Sequence, residues 1–161
     1  MGHRANFVVI RDGHARAYYD QWAAMGCVYS FASGPVGACE PLSDCEPTVE
    51  LLDWAFAEGG YLVDFDEKKA IVFGYPADLD QFADLGDDAG EEFHKLNSAL
   101  ERGGLAFLRH VGPRWAGWKL FWDDHGVDAF AAHLRRRGIT GIAAQPDSHP
   151  PETAKPIEHQ A

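Results

Sequence analysis

The chain has 161 residues, 46% of them hydrophobic, and carries 25 acidic residues against 14 Lys and Arg, a formal net charge of −11. This length suits one domain with its own core, and the negative charge disfavours nucleic acid, whose phosphates would be repelled. No window approaches the roughly 18 apolar residues of a membrane span, and the first residues lack the pattern of a signal peptide. We therefore expect a cytoplasmic protein that binds neither nucleic acid nor membrane.

The first two predicted elements form a hairpin. Residues 7–10 are an apolar run typical of a buried strand, Asp12-Gly13 is a tight-turn signal, and residues 15–22 predict the returning strand. Residues 23–45 contain Gly, Ser, Cys and two prolines, which favours a long loop.

The first helix is predicted to begin at Pro47, because proline favours the N1 position. Val49, Leu52 and Phe56 form one apolar stripe, and the glycine pair at 59–60 would end the helix. Residues 61–65 and 70–75 then predict a second hairpin, whose imperfect alternation indicates strands covered on both faces.

The second half of the sequence is predicted to be mostly helical. Residues 91–102 place apolar side chains on one helix face, residues 105–111 favour a helix over a strand, residues 117–122 alternate as a strand does, and residues 127–137 form the last helix. Residues 145–161 are polar and Pro-rich, which predicts a disordered tail after a single domain of residues 1–144.

Together these elements predict an α+β domain in the order ββαββα(α)βα. We expect a mostly antiparallel sheet of about five strands with two to four packed helices, because two hairpins argue against an all-parallel sheet.

The charges are unevenly distributed along the chain. Residues 17–94 contain seventeen acids against only Lys68 and Lys69, which predicts a strongly negative face that would attract a basic protein partner. The acids that we expect to contact this partner are Asp84, Asp87, Asp88, Glu91 and Glu92.

Two tryptophans complete the predicted partner surface. Trp115 follows Pro113 in a predicted turn and Trp22 ends a predicted strand. Tyr and Trp anchor many protein interfaces, so we expect both indoles to be exposed to a partner.

A second hypothesis concerns the three polar residues before the first strand, His3, Arg4 and Asn6. They could line a pocket in which Arg4 binds a small anion and His3 carries a proton. The alternative is that they cap the strand end, since polar groups at a strand end need hydrogen-bond partners.

A third hypothesis is a metal site at Cys27, Cys39 and Cys45. Their spacing of eleven and five residues matches no zinc pattern, so free thiols in a reducing compartment are the simpler interpretation. The sequence also contains no phosphate-binding loop, dinucleotide fingerprint, H-E-x-x-H motif or G-x-S-x-G motif. We therefore expect no cofactor and no metal, and the sequence leans away from an enzyme.

Three stretches resemble a group of uncharacterised small bacterial proteins. They are the opening M-G-H-R-A-N-F, residues 54–75, and residues 115–130 with the motif G-W-x-x-x-W. No activity is known for this group, so the resemblance implies no catalytic residue.

Three functions therefore remain open from the sequence. The first is an acidic binding protein, such as an immunity-type inhibitor of a basic toxin. The second is an enzyme or ligand-binding protein with a polar pocket near the N-terminal strand, and the third is a metal protein. The sequence leaves the oligomeric state open.

Overall fold

The computed structural model describes residues 4–20, 27–51, 58–74, 87–144 and 157–160. The strands are β1 (Ala5–Arg11), β2 (His14–Asp20), β3 (Glu46–Thr48), β4 (Glu50–Leu51), β5 (Gly59–Asp64), β6 (Lys69–Phe73), β7 (Lys119–Trp122), β8 (Ala143–Ala144) and β9 (Ile157–Gln160). The α-helices are α1 (Cys27–Phe31), α2 (Gly34–Cys39), α3 (Asp87–Glu101), α4 (Gly104–Val111) and α5 (Val127–Arg137), with 3-10 helices at Glu40–Asp44 and Gly112–Trp115. None of the helices in these ranges is long and apolar enough to cross a membrane.

The α+β class is confirmed, but the sheet is mixed and larger than we expected. Seven strands are ordered β3-β2-β1-β5-β6-β7-β9. The pairs β1–β5 and β6–β7 are parallel, and the other four pairs are antiparallel. β6 and β7 are parallel because α3 and α4 form the crossover that connects them. β5 returns beside β1 in the same direction after a connection that contains α1, α2, β3 and β4. A separate two-stranded parallel ladder joins β4 to β8.

Both faces of the sheet are covered, as the imperfect alternation of the central strands predicted. On one face, Phe7 and Tyr61 belong to a core cluster that also contains Phe31 and Trp115. On the other face, Val8 and Leu62 pack in a cluster with Phe130 of α5. Strands buried on both faces read as continuous apolar runs.

Both predicted hairpins are present. β1 and β2 pair over their whole length around a turn in which Asp12 and Gly13 have φ of 53° and 76°, a conformation that the Asp-Gly sequence accommodates. The backbone N–H groups of these two residues donate to the Asp66 carboxylate at 2.7 and 2.8 Å. The tips of the two hairpins are therefore joined.

The helix predicted from Pro47 is wrong over the described residues, because 46–48 and 50–51 are strands β3 and β4. Pro47 lies on β3 and pairs opposite Tyr18 of β2. β3 is an edge strand, and edge strands tolerate a residue without an N–H donor. The β-branched Thr48 and Val49 also favour extended backbone. Residues 52–57 lie outside the described residues.

The long loop predicted over residues 23–45 is instead largely helical from Cys27 onward. The prolines of this segment occupy the first turns of α2 and of the following 3-10 helix, where no N–H is needed. The Tyr61 hydroxyl donates to the Ala38 carbonyl and so ties this short helical segment to the sheet.

The C-terminal tail was expected to be disordered, yet Ile157–Gln160 form β9, which pairs with β7 at the end of the sheet. β7 would otherwise be an edge strand with unpaired backbone groups, and β9 satisfies them. Residues 145–156 and 161 lie outside the described residues.

Candidate functional site

The acids that we predicted to bind a partner are only partly described. Asp84 lies outside the described residues, and Asp87 and Asp88 open α3. Glu91 and Glu92 are exposed, but each is next to a cation, at 3.5 Å from Lys95 and 3.3 Å from Arg114 respectively. These two carboxylates are therefore partly neutralised within the protein.

A different stretch, residues 36–50, carries three carboxylates that lack such a neighbour among the described residues, and we call it the acidic segment. Glu40, Asp44, Glu46 and Glu50 are all exposed. Among the described residues, no cation lies within ion-pair distance of Glu40, Asp44 or Glu46. The sequence explains this, because residues 17–67 contain no Lys, Arg or His. Within the described part of the chain, Glu40, Asp44 and Glu46 therefore present negative charge that no ion pair compensates.

The acidic segment also carries exposed apolar side chains. Val36 on α2 and Val49 after β3 are 67% and 71% exposed, and they are the large hydrophobic residues that stand out as exposed in the described part of the chain. β3, in the middle of the segment, is the outermost strand at its end of the sheet as far as the structure describes the chain. Exposed apolar side chains and exposed carboxylates therefore occur in the same stretch of the chain.

Trp115 does not belong to any such surface, contrary to our expectation. Its side chain is 0% exposed, its ring stacks on Phe31 with centroids 4.4 Å apart, and its Nε1–H donates to the Phe31 carbonyl at 2.9 Å. Because the indole N–H has a backbone acceptor inside the core, Trp115 can be buried without an unsatisfied donor. Trp22 lies outside the described residues.

The pocket predicted at His3, Arg4 and Asn6 is not supported at those residues. His3 lies outside the described residues, and Arg4 is half-buried. Asn6 is 0% exposed and its Nδ2 donates to the Tyr18 carbonyl at 3.1 Å. Asn6 therefore holds β1 to β2 and offers no surface to a ligand.

A pocket does exist near the N-terminal strand, at the other end of the hairpin. It has a volume of about 570 Å³ and we call it the basic pocket. Its lining includes Val9, Arg11, His14, Arg16, Tyr18 and Leu42. The hairpin register places Arg11 opposite His14 and Val9 opposite Arg16, so alternate residues of both strands share this face of the sheet.

A buried ionic network lies on the opposite face of the sheet. The Asp64 carboxylate is fully buried at the end of β5 and accepts from His133 Nε2 at 2.8 Å and from Arg137 Nη1 at 2.5 Å, both on α5. Its other oxygen accepts the backbone N–H groups of Asp66 and Glu67 at 3.0 and 3.1 Å. Burial opposes ionisation of Asp64, but the hydrogen bonds from Arg137, His133 and the backbone outweigh it and hold the pKa below its usual value.

His133 is neutral at pH 7 in this network. Burial lowers the pKa of His133, and the nearby Asp64 opposes that shift only in part. A neutral ring donates from Nε2 to Asp64 and leaves Nδ1 to accept from Arg136, whose Nη2 is 3.4 Å away. The network therefore anchors α5 to the turn between β5 and β6.

We tested whether this network could hold a metal ion. Ligand atoms of Asp64, Glu67 and His133 lie within 4.8 Å of one another. However, both oxygens of Asp64 already accept two hydrogen bonds each, and Glu67 pairs with Arg136 and Arg137. Two guanidinium groups in contact with the donor set would repel a cation, so the arrangement does not fit a metal.

The three cysteines do not form a ligand set either. The structure gives each of them as a free thiol, and they do not gather with one another or with other ligands among the described residues. Burial raises the pKa of Cys27 to about 12 and, together with Asp20 and Asp44, raises that of Cys45 to about 11. Thiols with raised pKa values are poor nucleophiles at pH 7.

Comparison of the chain with protein-family models, with curated proteins and with solved structures finds no match.

Proposed function

We propose that the protein binds a basic protein partner through the acidic segment, as an immunity-type inhibitor binds a basic toxin. The observation that carries this proposal is the contrast between two groups of acids. Glu40, Asp44 and Glu46 are exposed and lack a described cation within ion-pair distance, whereas Glu91 and Glu92 each have one.

Unpaired surface charge of one sign accelerates association with a partner of the opposite sign. The exposed Val36 and Val49 supply apolar contact area that the charges alone would lack. The outer side of β3, where the described residues place no further strand, can also pair with an extended segment of the partner. These features support binding more strongly than catalysis.

The test is a pull-down from lysate of the source organism with three forms of the protein. The first is the wild type, and the second replaces Glu40→Gln, Asp44→Asn and Glu46→Gln. The matched control replaces Glu91→Gln, Glu92→Gln and Glu101→Gln, which changes the net charge by the same three units on exposed residues of α3.

We expect the wild type and the control to retain the same basic protein, identified by mass spectrometry, and the acidic-segment variant to lose it. With that partner purified, the association rate should fall about ten-fold or more at low salt for the acidic-segment variant alone. The difference should shrink near 0.5 M salt, where the screening length is about 4 Å. Equal retention by all three forms would contradict the proposal, as would the absence of any basic protein from the wild-type eluate.

A further inference from the structure

The basic pocket gathers positive charge in an otherwise acidic protein. Arg11 and Arg16 contribute two guanidinium groups and His14 a ring, and Asp12 is the carboxylate among the lining residues. None of the described acids pairs with Arg11, His14 or Arg16. No ion pair among the described residues therefore occupies these cations.

Arg11 is held in place for binding. Its guanidinium carbon lies 4.0 Å from the centroid of the Phe65 ring, so the ring covers one face of the guanidinium. Stacking of this kind uses the face of the group and leaves the N–H donors at its edge available for a carboxylate or phosphate.

The thiol next to Arg11 does not neutralise it. Burial raises the pKa of Cys39 above its usual value of 9.0, and the nearby Arg11 opposes that shift without reversing it. Cys39 is therefore an uncharged thiol at pH 7, and it forms part of the wall that the end of α2 contributes.

The rest of the wall is mainly apolar or aromatic. Val9 and Tyr18 come from the hairpin, and Leu42 comes from the 3-10 helix that covers it. A volume of about 570 Å³ falls within the range of small-molecule sites, which combine apolar walls with a few polar groups that orient the ligand.

We propose that the basic pocket binds a small amphipathic anion, in which a phosphate or carboxylate group contacts Arg11 and Arg16 and an apolar part lies against Val9, Tyr18 and Leu42. The pocket shares Cys39, Leu42 and Ser43 with the acidic segment, but Glu40, Asp44 and Glu46 are not among its lining residues.

The test uses phenyl phosphate, benzoate, inorganic phosphate and phenol as probes, each titrated into the full chain and followed by amide chemical shifts in NMR. Phenyl phosphate should bind at least ten-fold more tightly than phenol and than inorganic phosphate, with shifts concentrated on β1, β2 and the 3-10 helix at Glu40–Asp44. Comparison with benzoate decides whether the site prefers phosphate or carboxylate.

Arg16→Gln should weaken phenyl phosphate binding at least ten-fold, whereas Arg109→Gln, the same change at an exposed position on α4, should leave it unaltered. Arg16 is exposed, so its replacement preserves the fold, and an unchanged melting temperature verifies this. Arg11→Lys provides a second variant, which keeps the charge and removes the planar donors.

The proposal fails if phenol binds as well as phenyl phosphate, or if no probe binds at 10 mM. It also fails if Arg16→Gln and Arg109→Gln have equal effects. Equal binding of inorganic phosphate and phenyl phosphate would overturn the role of the apolar wall.

Discussion

Replacing Asp64 with Asn should destabilise the protein strongly, although the two side chains have nearly the same volume. Asp64 is fully buried and accepts hydrogen bonds from two side chains of α5 and from two backbone N–H groups. An amide supplies one acceptor and one donor. At this position, the NH₂ group of the amide would face either the donors His133 Nε2 and Arg137 Nη1 or the two N–H donors of the turn. In both orientations, donors would face donors and hydrogen bonds would be lost.

The size of this loss in stability follows from the burial of the Asp64–Arg137 ion pair. Removing one member of a buried ion pair costs about 3–5 kcal/mol, because the remaining charge stays desolvated. Arg137 is only 16% exposed and keeps Asp66 as its nearest remaining anion at 3.2 Å. For a domain of this size, 1 kcal/mol corresponds to about 2–4 °C, so the melting temperature should fall by roughly 6–20 °C.

Thermal melts and urea titrations at pH 7 measure this loss. Asp66→Asn is the matched control, since Asp66 also binds Arg137 but is exposed to solvent, and it should cause a much smaller loss. Equal stability of Asp64→Asn and the wild type would refute the view that the network anchors α5. Equal losses for the two variants would show that burial of the charge does not decide the effect.

Three further predictions concern the same fold. Burial lowers the pKa of His133 below its usual 6.5, so the unfolded chain binds a proton at this residue more tightly than the folded protein does. Stability should therefore fall as the pH drops below about 6.5. His133→Gln should reduce this loss between pH 7.5 and 5.5 in urea titrations, whereas the exposed His110→Gln should not. Truncation after Gln145 should lower the melting temperature because it removes β9 and exposes the edge of β7; an unchanged value would show that β9 contributes nothing. Gly60→Ala should cost about 3 kcal/mol or more in a urea titration, since its Cβ would lie 1.9 Å from the Asn6 carbonyl oxygen, and a smaller cost would mean that β5 shifts readily.

The elements that could be predicted are those with strong local signals. The helix over residues 127–137 has the predicted bounds, because its apolar stripe is regular and Gly138 ends it in a left-handed conformation. The first hairpin follows from its Asp12-Gly13 turn signal, and the second follows from the two apolar runs at residues 61–65 and 70–75. The sheet order could not be predicted in this way, since the pairing of β1 with β5 joins strands about fifty residues apart.

The short helices α1 and α2 could not be predicted because their stability is tertiary. Helices of five and six residues are unstable alone. Here Phe31 of α1 packs between Trp115 and Tyr61, and the Tyr61 hydroxyl binds the Ala38 carbonyl of α2. The Gly- and Pro-rich composition of this stretch indicated a loop because the sequence alone does not show those contacts.

Some features of the candidate sites could also be predicted from the sequence, and others could not. The pairing of Glu91 with Lys95 is an i,i+4 contact on a helix, so the sequence carried a signal that this acid is not free. The common face of Arg11, His14 and Arg16 also follows from strand alternation within the first hairpin. What the sequence could not show is that Leu42 and Cys39 close over that face and turn it into a pocket.

The positions of these groups make the two binding proposals and the stability prediction separable by experiment. The Asp64 network packs with α5 on one face of the sheet, and the basic pocket lies on the other face, between the first hairpin and the 3-10 helix at Glu40–Asp44. Glu40, Asp44 and Glu46 are not among the residues that line the pocket. Neutralising these three acids should therefore leave phenyl phosphate binding intact, and Arg16→Gln should leave the association rate with a basic partner unchanged or slightly raised, because it removes a positive charge. A loss of both activities in either variant would instead mean that the acidic segment and the basic pocket form one site.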